Sequence, residues 1–177
     1  RFVAATNRKI EAMTDSIERT AILSGDGVYR YRLARRWSDG EQVTFVMLNP
    51  STADHTVDDP TLKKVMKLSR AWGYGGLQVV NLYAFRSPDP RDLWAATDPV
   101  GPENNEHLRA AGAEGGLMVA AWGNNAQPER IAEVLAFPGF GELHCLAVNA
   151  GGQPKHPLYV RSDAIAVLCP AASFPGA

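Results

Sequence analysis

The sequence contains little cysteine and no apolar run long enough to cross a membrane. Its 177 residues include two cysteines, Cys145 and Cys169. Both have apolar neighbours and lack the close paired spacing of a metal site, so we expect reduced core thiols in a cytoplasmic protein. No apolar run approaches the roughly 18 residues of a membrane span. The first twenty residues are polar and have a helical pattern, which does not fit a signal peptide.

Strong net charge is also absent. The formal charge of -1 gives no overall attraction to nucleic acid, so any contact with DNA or RNA depends on local basic patches. Two such patches are Arg30, Arg32, Arg35 and Arg36 in one segment, and Lys63, Lys67 and Arg70 at helical spacing in another. Each patch is either a solvated face or a set of phosphate contacts.

The glycine loops that bind phosphate in nucleotide enzymes are missing. There is no Walker-type loop, and the glycine-rich residues 73–76 precede a predicted strand, which is the wrong side for that task. Asp54, Asp58 and Asp59 are an acidic cluster that could begin a Mg²⁺ site,. The predicted strands end in amides rather than in further carboxylates, so we expect no metal and no cofactor, with the Mg²⁺ site as the lesser alternative.

What the sequence does contain is an alternation of helix and strand patterns. Predicted helices cover residues 4–20, 60–72, 102–112 and 128–135, and residues 162–168 fit either helix or strand. Predicted strands cover residues 29–33, 43–48, 77–84, 117–122 and 143–148, the first two forming an antiparallel hairpin.

This order of elements predicts one α/β domain over residues 1–177. Strands that alternate with helices pair in parallel through right-handed crossovers. We therefore expect a three-layer α/β/α sandwich, with a central, mainly parallel sheet of four core strands and an N-terminal antiparallel hairpin strand. The core is predicted to span residues 29–159, between an N-terminal helix in residues 1–20 and a C-terminal extension in residues 160–177.

Polar side chains follow all four predicted core strands. In open α/β sheets, ligands bind beyond the carboxyl ends of the strands. The residues at these ends are Asn49, Pro50, Ser51 and Thr52 after the first strand, Asn81, Tyr83, Phe85 and Arg86 along the second, Trp122 and Asn124 after the third, and Lys155 and His156 after the fourth. Asparagine often ends a strand because it turns well, but four similar ends favour a shared site. Aromatic faces and amides suit a nucleobase, which stacks and pairs through its edge.

Several of these segments resemble a known family of bacterial and phage proteins of unknown function, DUF1643. The resemblance covers about residues 29–159. It rests on the segments Val46-Met47-Leu48-Asn49-Pro50-Ser51-Thr52-Ala53-Asp54, Asp59-Pro60-Thr61, Asn81-Leu82-Tyr83-Ala84, Asp98-Pro99-Val100-Gly101-Pro102 and His156-Pro157-Leu158-Tyr159. The family name implies no activity.

The order of motifs is also similar, more distantly, to the uracil-DNA glycosylase superfamily. In that superfamily a first strand ends in an Asn-Pro-type loop that positions water, and a late strand ends in a His-Pro loop near the base. Asn49-Pro50 and His156-Pro157 stand at the matching places. The sequence departs from the pattern at Met47 and Leu48, where a glycine is expected, and at Leu158-Tyr159, where a serine-proline pair is usual.

This resemblance implies a role for each candidate residue in cleaving a glycosidic bond. Asn49 would hold the attacking water, with Asp54 or Asp58 as general base. His156 would hydrogen-bond the departing base. Aromatic stacking and phosphate contacts would come from Tyr83, Phe85, Trp122, Arg86 and Lys155.

Every role has a structural alternative. Asn49 can instead tie down its own loop, and His156 can be a turn residue satisfied by the backbone. Asp54 and Asp58 can be solvated loop acids, and Asp59 fits a helix cap. The sequence predicts either an enzyme that acts on a nucleobase, possible substrates being a free base or a base within DNA, or a non-catalytic module that binds nucleic acid or a nucleotide.

Overall fold

A computed structural model describes residues 16–170, which form a mixed α/β fold around one seven-stranded sheet. The strands are β1 (Glu18–Leu23), β2 (Arg30–Arg36), β3 (Gln42–Met47), β4 (Gly76–Asn81), β5 (Met118–Ala120), β6 (His144–Cys145) and β7 (Val167–Leu168). The helices are α1 (Pro60–Ala71), α2 (Pro90–Ala95), α3 (Asn104–Glu114) and α4 (Pro128–Leu135). The spatial order of strands is β1-β2-β4-β3-β5-β6-β7. The four strands from β4 to β6 are parallel, and antiparallel pairs flank them.

Helices cover both faces of the parallel strands. On one face Phe45 of β3 shares a core with Val65 of α1. On the other, Val46 of β3 shares a second core with Leu108 of α3 and Ile131 of α4. Because both faces are covered, β3 is a nearly continuous apolar run. The expected layered α/β architecture is therefore confirmed.

Helix α1 begins where its sequence predicts. Asp59 has extended backbone angles and accepts a hydrogen bond from the backbone N–H of Leu62 at 2.7 Å, while Pro60 occupies the first turn. This is a side-chain cap followed by proline at the position that lacks a hydrogen-bond partner. Within residues 16–170, α1 is the longest helix, and none is long and apolar enough to cross a bilayer.

The predicted hairpin between the first two strands of the core is wrong. Strand β2 pairs with β1 and β4, and β4 separates it from β3. The connection between β2 and β3 crosses the start of β4, where Gly40 and Gly75 lie in contact. A Cβ added to Gly75 would be 2.5 Å from the Gly40 nitrogen, so the crossing requires glycine there.

Other element boundaries differ from the prediction. Residues 18–20, predicted as the end of a helix, belong to β1, which is the true hairpin partner of β2. Residues 4–15 of that predicted helix lie outside the described residues. The fourth predicted core strand shrinks to His144–Cys145, α3 begins at Asn104, and residues 167–168 form a strand. A short helix, Pro90–Ala95, lies in the segment predicted as a proline-rich loop.

Candidate functional site

A cavity of about 590 Å³ lies beyond the carboxyl ends of β3, β4 and β5. Seven of the predicted site residues line it, namely Asn49, Ser51, Thr52, Asn81, Trp122, Asn124 and His156. Parallel strands bring their carboxyl ends to one edge of the sheet, which explains why residues far apart in sequence meet here.

Asn81 is the last residue of β4 and forms part of the cavity wall. Its backbone carbonyl accepts a hydrogen bond from Nδ2 of Asn104 at 3.0 Å. The residue is 2% exposed, and its side-chain amide has no hydrogen-bond partner within residues 16–170. The small exposed part of this residue belongs to a cavity-lining side chain whose hydrogen-bonding capacity the described residues do not use. The amide is thus available to a molecule in the cavity.

Asn49 has the loop-fixing role that the sequence left open. Its Nδ2 donates to the carbonyls of Ser87 at 3.0 Å, Pro50 at 3.2 Å and Phe85 at 3.3 Å. These contacts fasten the loop after β3 to the loop after β4. Within the described chain the Asn49 Oδ1 accepts no hydrogen bond, so it can accept one from a ligand donor while Nδ2 holds the loop.

His156 lines the cavity and is the N-cap of a single 3-10 turn, Pro157–Tyr159. Its Nδ1 accepts from the backbone N–H of Leu158 at 3.4 Å. Burial lowers the pKa of His156, and the charge of Asp59 opposes this only in part. The imidazole is therefore neutral at pH 7, and with Nδ1 as the acceptor its proton resides on Nε2. The Tyr159 ring lies 5.8 Å from the imidazole, at the cavity rim, and 74% of this residue is exposed.

Two charged residues of the wall were not predicted as part of the site. Arg30, 4% exposed, donates through Nη1 to the carbonyl of Ala53, and its buried Nε has no partner. Burial lowers the pKa of Arg30 to about 10, so the guanidinium stays charged at neutral pH. Asp59 caps α1 as expected and also lines the cavity.

The two predicted general bases lie outside the cavity lining. Asp54 is bound into its own turn, accepting from the N–H and hydroxyl of Thr56, both at 2.7 Å, and these bonds hold its pKa well below the usual range. Asp58 lies 2.8 Å from both Arg35 and Arg19. Asp54 is therefore a partly exposed loop acid held in its own turn, whereas Asp58 is a partly buried member of an ion-paired cluster.

The predicted stacking residues separate into two groups. Trp122 is buried at the cavity edge, and its indole N–H donates to Gln153 at 2.8 Å. Tyr83 belongs to the core, where its hydroxyl accepts from the Gln127 backbone at 3.3 Å, and Phe85 packs against the same core. Neither Tyr83 nor Phe85 lines the cavity.

The remaining predicted contacts lie beside the cavity. Arg86 donates to the Gly27 carbonyl at 3.2 Å, and Pro50 accepts from the Ser87 backbone at 2.9 Å. Lys155 lines a second, shallower cavity of about 580 Å³ that shares Tyr159 with the first. None of Arg86, Pro50 or Lys155 forms part of the main cavity wall.

Carboxylates, histidines and cysteines do not combine into a metal site within residues 16–170. Asp54 and Asp58 point to different partners, Thr56 and Arg35. Within the described residues, the three acids of the sequence cluster therefore have separate structural roles: Asp54 fixes a turn, Asp58 pairs with Arg35, and Asp59 caps α1.

Comparison with protein-family models gives one match. The model described as a protein of unknown function, DUF1643, matches residues 30–158, well over half of the chain. The chain belongs to the DUF1643 family. No curated protein and no solved structure matches it, and the resemblance to uracil-DNA glycosylases stays a prediction.

The DUF1643 match begins at Arg30 and ends at Leu158, so both ends of the match reach the cavity wall. Sequence reasoning did not assign Arg30 and Tyr159 to the site, although both line the cavity. Two signals pointed toward them. Arg30 belongs to the arginine-rich segment, whose alternatives were a solvated face or phosphate contacts, and Tyr159 closes the His-Pro motif.

Proposed function

We propose that this DUF1643 protein binds a nucleobase in the strand-end cavity, as a free base or as part of a nucleotide or nucleic acid. The observation that carries the proposal is the buried, unpartnered amide of Asn81. An asparagine amide offers one donor and one acceptor side by side, which matches the edge of a base.

Other groups in the wall support the same ligand class. The neutral His156 offers an Nε2–H donor, and Asn49 offers Oδ1 as an acceptor. The exposed Tyr159 ring at the rim provides a face for stacking,. The cavity volume of about 590 Å³ lies in the range of sites for small molecules and cofactors,.

Calorimetric titration with a panel of nucleobases and nucleosides tests this proposal. Asn81→Leu keeps a side chain of similar size but removes the amide, so we expect it to weaken binding at least about tenfold. Asn105→Leu is the matched control, because Asn105 of α3 pairs with Glu133 of α4 and does not line the cavity. Equal affinities in wild type, Asn81→Leu and Asn105→Leu would contradict the proposed base contact.

A second candidate function is hydrolysis of the bond between the base and its sugar. Asp59 and His156 favour it, because both line the cavity and the Asp59 charge acts on His156. Water would attack C1′ as the C1′–N bond breaks. The base would leave with the bonding electron pair, stabilised by the Nε2–H of His156, while Asp59 accepts the water proton. Asn49 Oδ1 would hold the water, whereas the positions of Asp54 and Asp58 do not favour them as the base.

Asp59→Asn separates catalysis from folding, since asparagine caps a helix about as well as aspartate. Oligonucleotides that contain uracil, hypoxanthine or modified bases would be assayed for abasic sites, and nucleosides for released base. We expect turnover by wild type, at least 100-fold slower turnover by Asp59→Asn, and unchanged base binding. Base binding without turnover by the wild type would instead identify the non-catalytic binding module.

A further inference from the structure

Arg30 carries a buried positive charge that no carboxylate of the described chain contacts. It is 4% exposed, yet no carboxylate within residues 16–170 lies in ion-pair contact with it. Its Nη1 bonds to the Ala53 carbonyl, whereas Nε is buried without a partner. A guanidinium has five N–H donors, so a single carbonyl leaves most of its donor capacity unused.

Arg35 shows how the same strand neutralises a buried arginine. Its side chain is 0% exposed, and its Nη2 lies 2.8 Å from the carboxylate of Asp58. Its three guanidinium nitrogens all donate, to Asp58 and to the backbone carbonyls of Ala34 and Asp54. Buried charges are costly unless they are paired, and Arg30 therefore stands out as the exception on β2.

Asp59 does not fill this role. Its influence on Arg30 is an attraction at longer range, and its Oδ1 is engaged by the Leu62 N–H. The same hydrogen bond caps the start of α1, so the helix terminus is already compensated. Asp54 likewise attracts Arg30 only through its charge. Within the described residues, Arg30 is therefore a positive charge of the cavity wall that lacks an ion-pair contact.

We propose that Arg30 binds a phosphate of the ligand, so that the cavity takes a nucleotide in preference to a bare base or a nucleoside. This inference rests on the proposed function, because Asn81 is assigned to the base. A guanidinium binds phosphate through two parallel N–H···O bonds, which are charge-assisted and strong in a buried setting. The phosphate can belong to a free nucleotide or to the backbone of a nucleic acid.

The test is calorimetry at fixed ionic strength with three ligands that share one base: a nucleoside, its 5′-monophosphate and a trinucleotide with the same base at its centre. We expect the phosphate to tighten binding to the wild type about 10- to 100-fold relative to the nucleoside. In Arg30→Gln this advantage should disappear while nucleoside affinity is retained. Arg32→Gln is the matched control, because Arg32 is on the same strand, pairs with Glu114 and does not line the cavity.

Outcomes that concern Arg30 are separable from those that concern Asn81. If the nucleoside binds and neither phosphate ligand binds more tightly, the phosphate inference is wrong and the proposed function stands. If the monophosphate gains affinity and the trinucleotide does not, the ligand is a free nucleotide, and the reverse result assigns a nucleic-acid backbone. If Arg30→Gln retains the full advantage of the phosphate, another group binds it and the inference fails.

Inorganic phosphate provides a measurement that needs no base. Compared with chloride of equal ionic strength, inorganic phosphate should raise the melting temperatures of the wild type and of Arg32→Gln. It should leave the melting temperature of Arg30→Gln unchanged. A wild type that gains no stability would overturn the assignment even if no nucleoside binds. If Arg30→Gln does not fold, competition on the wild type decides. Phosphate should then displace the monophosphate and leave nucleoside binding unchanged, and failure to displace it contradicts the proposal.

Discussion

Two buried arginines on one strand, Arg30 and Arg35, have opposite surroundings. Arg35 belongs to a closed polar cluster, in which Asp58 binds both Arg35 and Arg19 at 2.8 Å. Arg30 belongs to an open polar wall, in which neither its Nε nor the side chain of Asn81 has a partner within residues 16–170.

The difference separates polar groups that hold the fold from polar groups that are available to a ligand. Buried polar side chains are ordinarily hydrogen-bonded, and each exception requires an explanation. In the closed cluster the protein supplies every partner itself. In the open wall it supplies a cavity instead, and a ligand can complete the hydrogen bonds there.

Removal of the carboxylate from the closed cluster should have the largest effect. Asp58→Ala leaves the fully buried charge of Arg35 without a counter-ion, so we expect the free energy of unfolding to fall by about 3 to 5 kcal/mol. Urea unfolding followed by circular dichroism measures the change. Asp163→Ala, which breaks the exposed pair with Arg161, should cost no more than about 1 kcal/mol. Equal losses in the two variants would mean that the cluster contributes no more than a surface ion pair.

Acid should weaken the closed cluster selectively. Burial acts to raise the pKa of Asp58, but the hydrogen bonds and charges of Arg35 and Arg19 outweigh it and lower the pKa below 3.8. Because the folded-state pKa is depressed, this stabilisation is complete well above pH 3.8 and is lost as the pH falls through the folded-state value. Urea unfolding at intervals between pH 6 and pH 2 should show a smaller acid-dependent loss of stability in Asp58→Asn than in the wild type. Parallel curves would contradict the assignment.

The smallest effect on stability should come from the open wall. Arg30→Gln removes a charge that has no ion-pair partner, so we expect a loss of about 1 kcal/mol or less in the ligand-free protein,. Arg35→Gln should cost several times as much, because Asp58 would lose its buried partner and keep only the partly exposed Arg19,. Urea unfolding of the two variants under identical conditions makes the comparison. If the free energy of unfolding falls more in Arg30→Gln than in Arg35→Gln, the conclusion that the cluster stabilises the fold more than the cavity wall is wrong.

Local signals in the sequence predicted a substantial part of this structure. Asp59 followed by Pro60 predicted the start of α1, because the cap and the proline act within one turn. Polar residues after successive strands predicted the cavity, because parallel strands bring their carboxyl ends together. Asn81 and His156 line this cavity, while their chemical roles stay predictions.

Long-range partners explain what the sequence did not predict. The hairpin prediction failed because β2 pairs with β4, which is separated from it by β3 and α1 in the chain. Asp58 was predicted as a general base because the sequence does not show that it contacts Arg35, which is 23 positions away. The burial of Arg30 could not be predicted from alternation alone, because the strand pattern is equally consistent with a solvated face.

The limits of the family match have a practical meaning for dissecting the protein. Strand β1 precedes residue 30 and strand β7 follows residue 158, so both outer strands of the sheet fall outside the matched segment. A fragment cut at those limits would lose Arg19, one of the two cations held by Asp58, and would expose the unpaired edges of β2 and β6. Bare strand edges promote aggregation. The segment matched by the family model is therefore shorter than the segment that forms the complete seven-stranded sheet of the described residues.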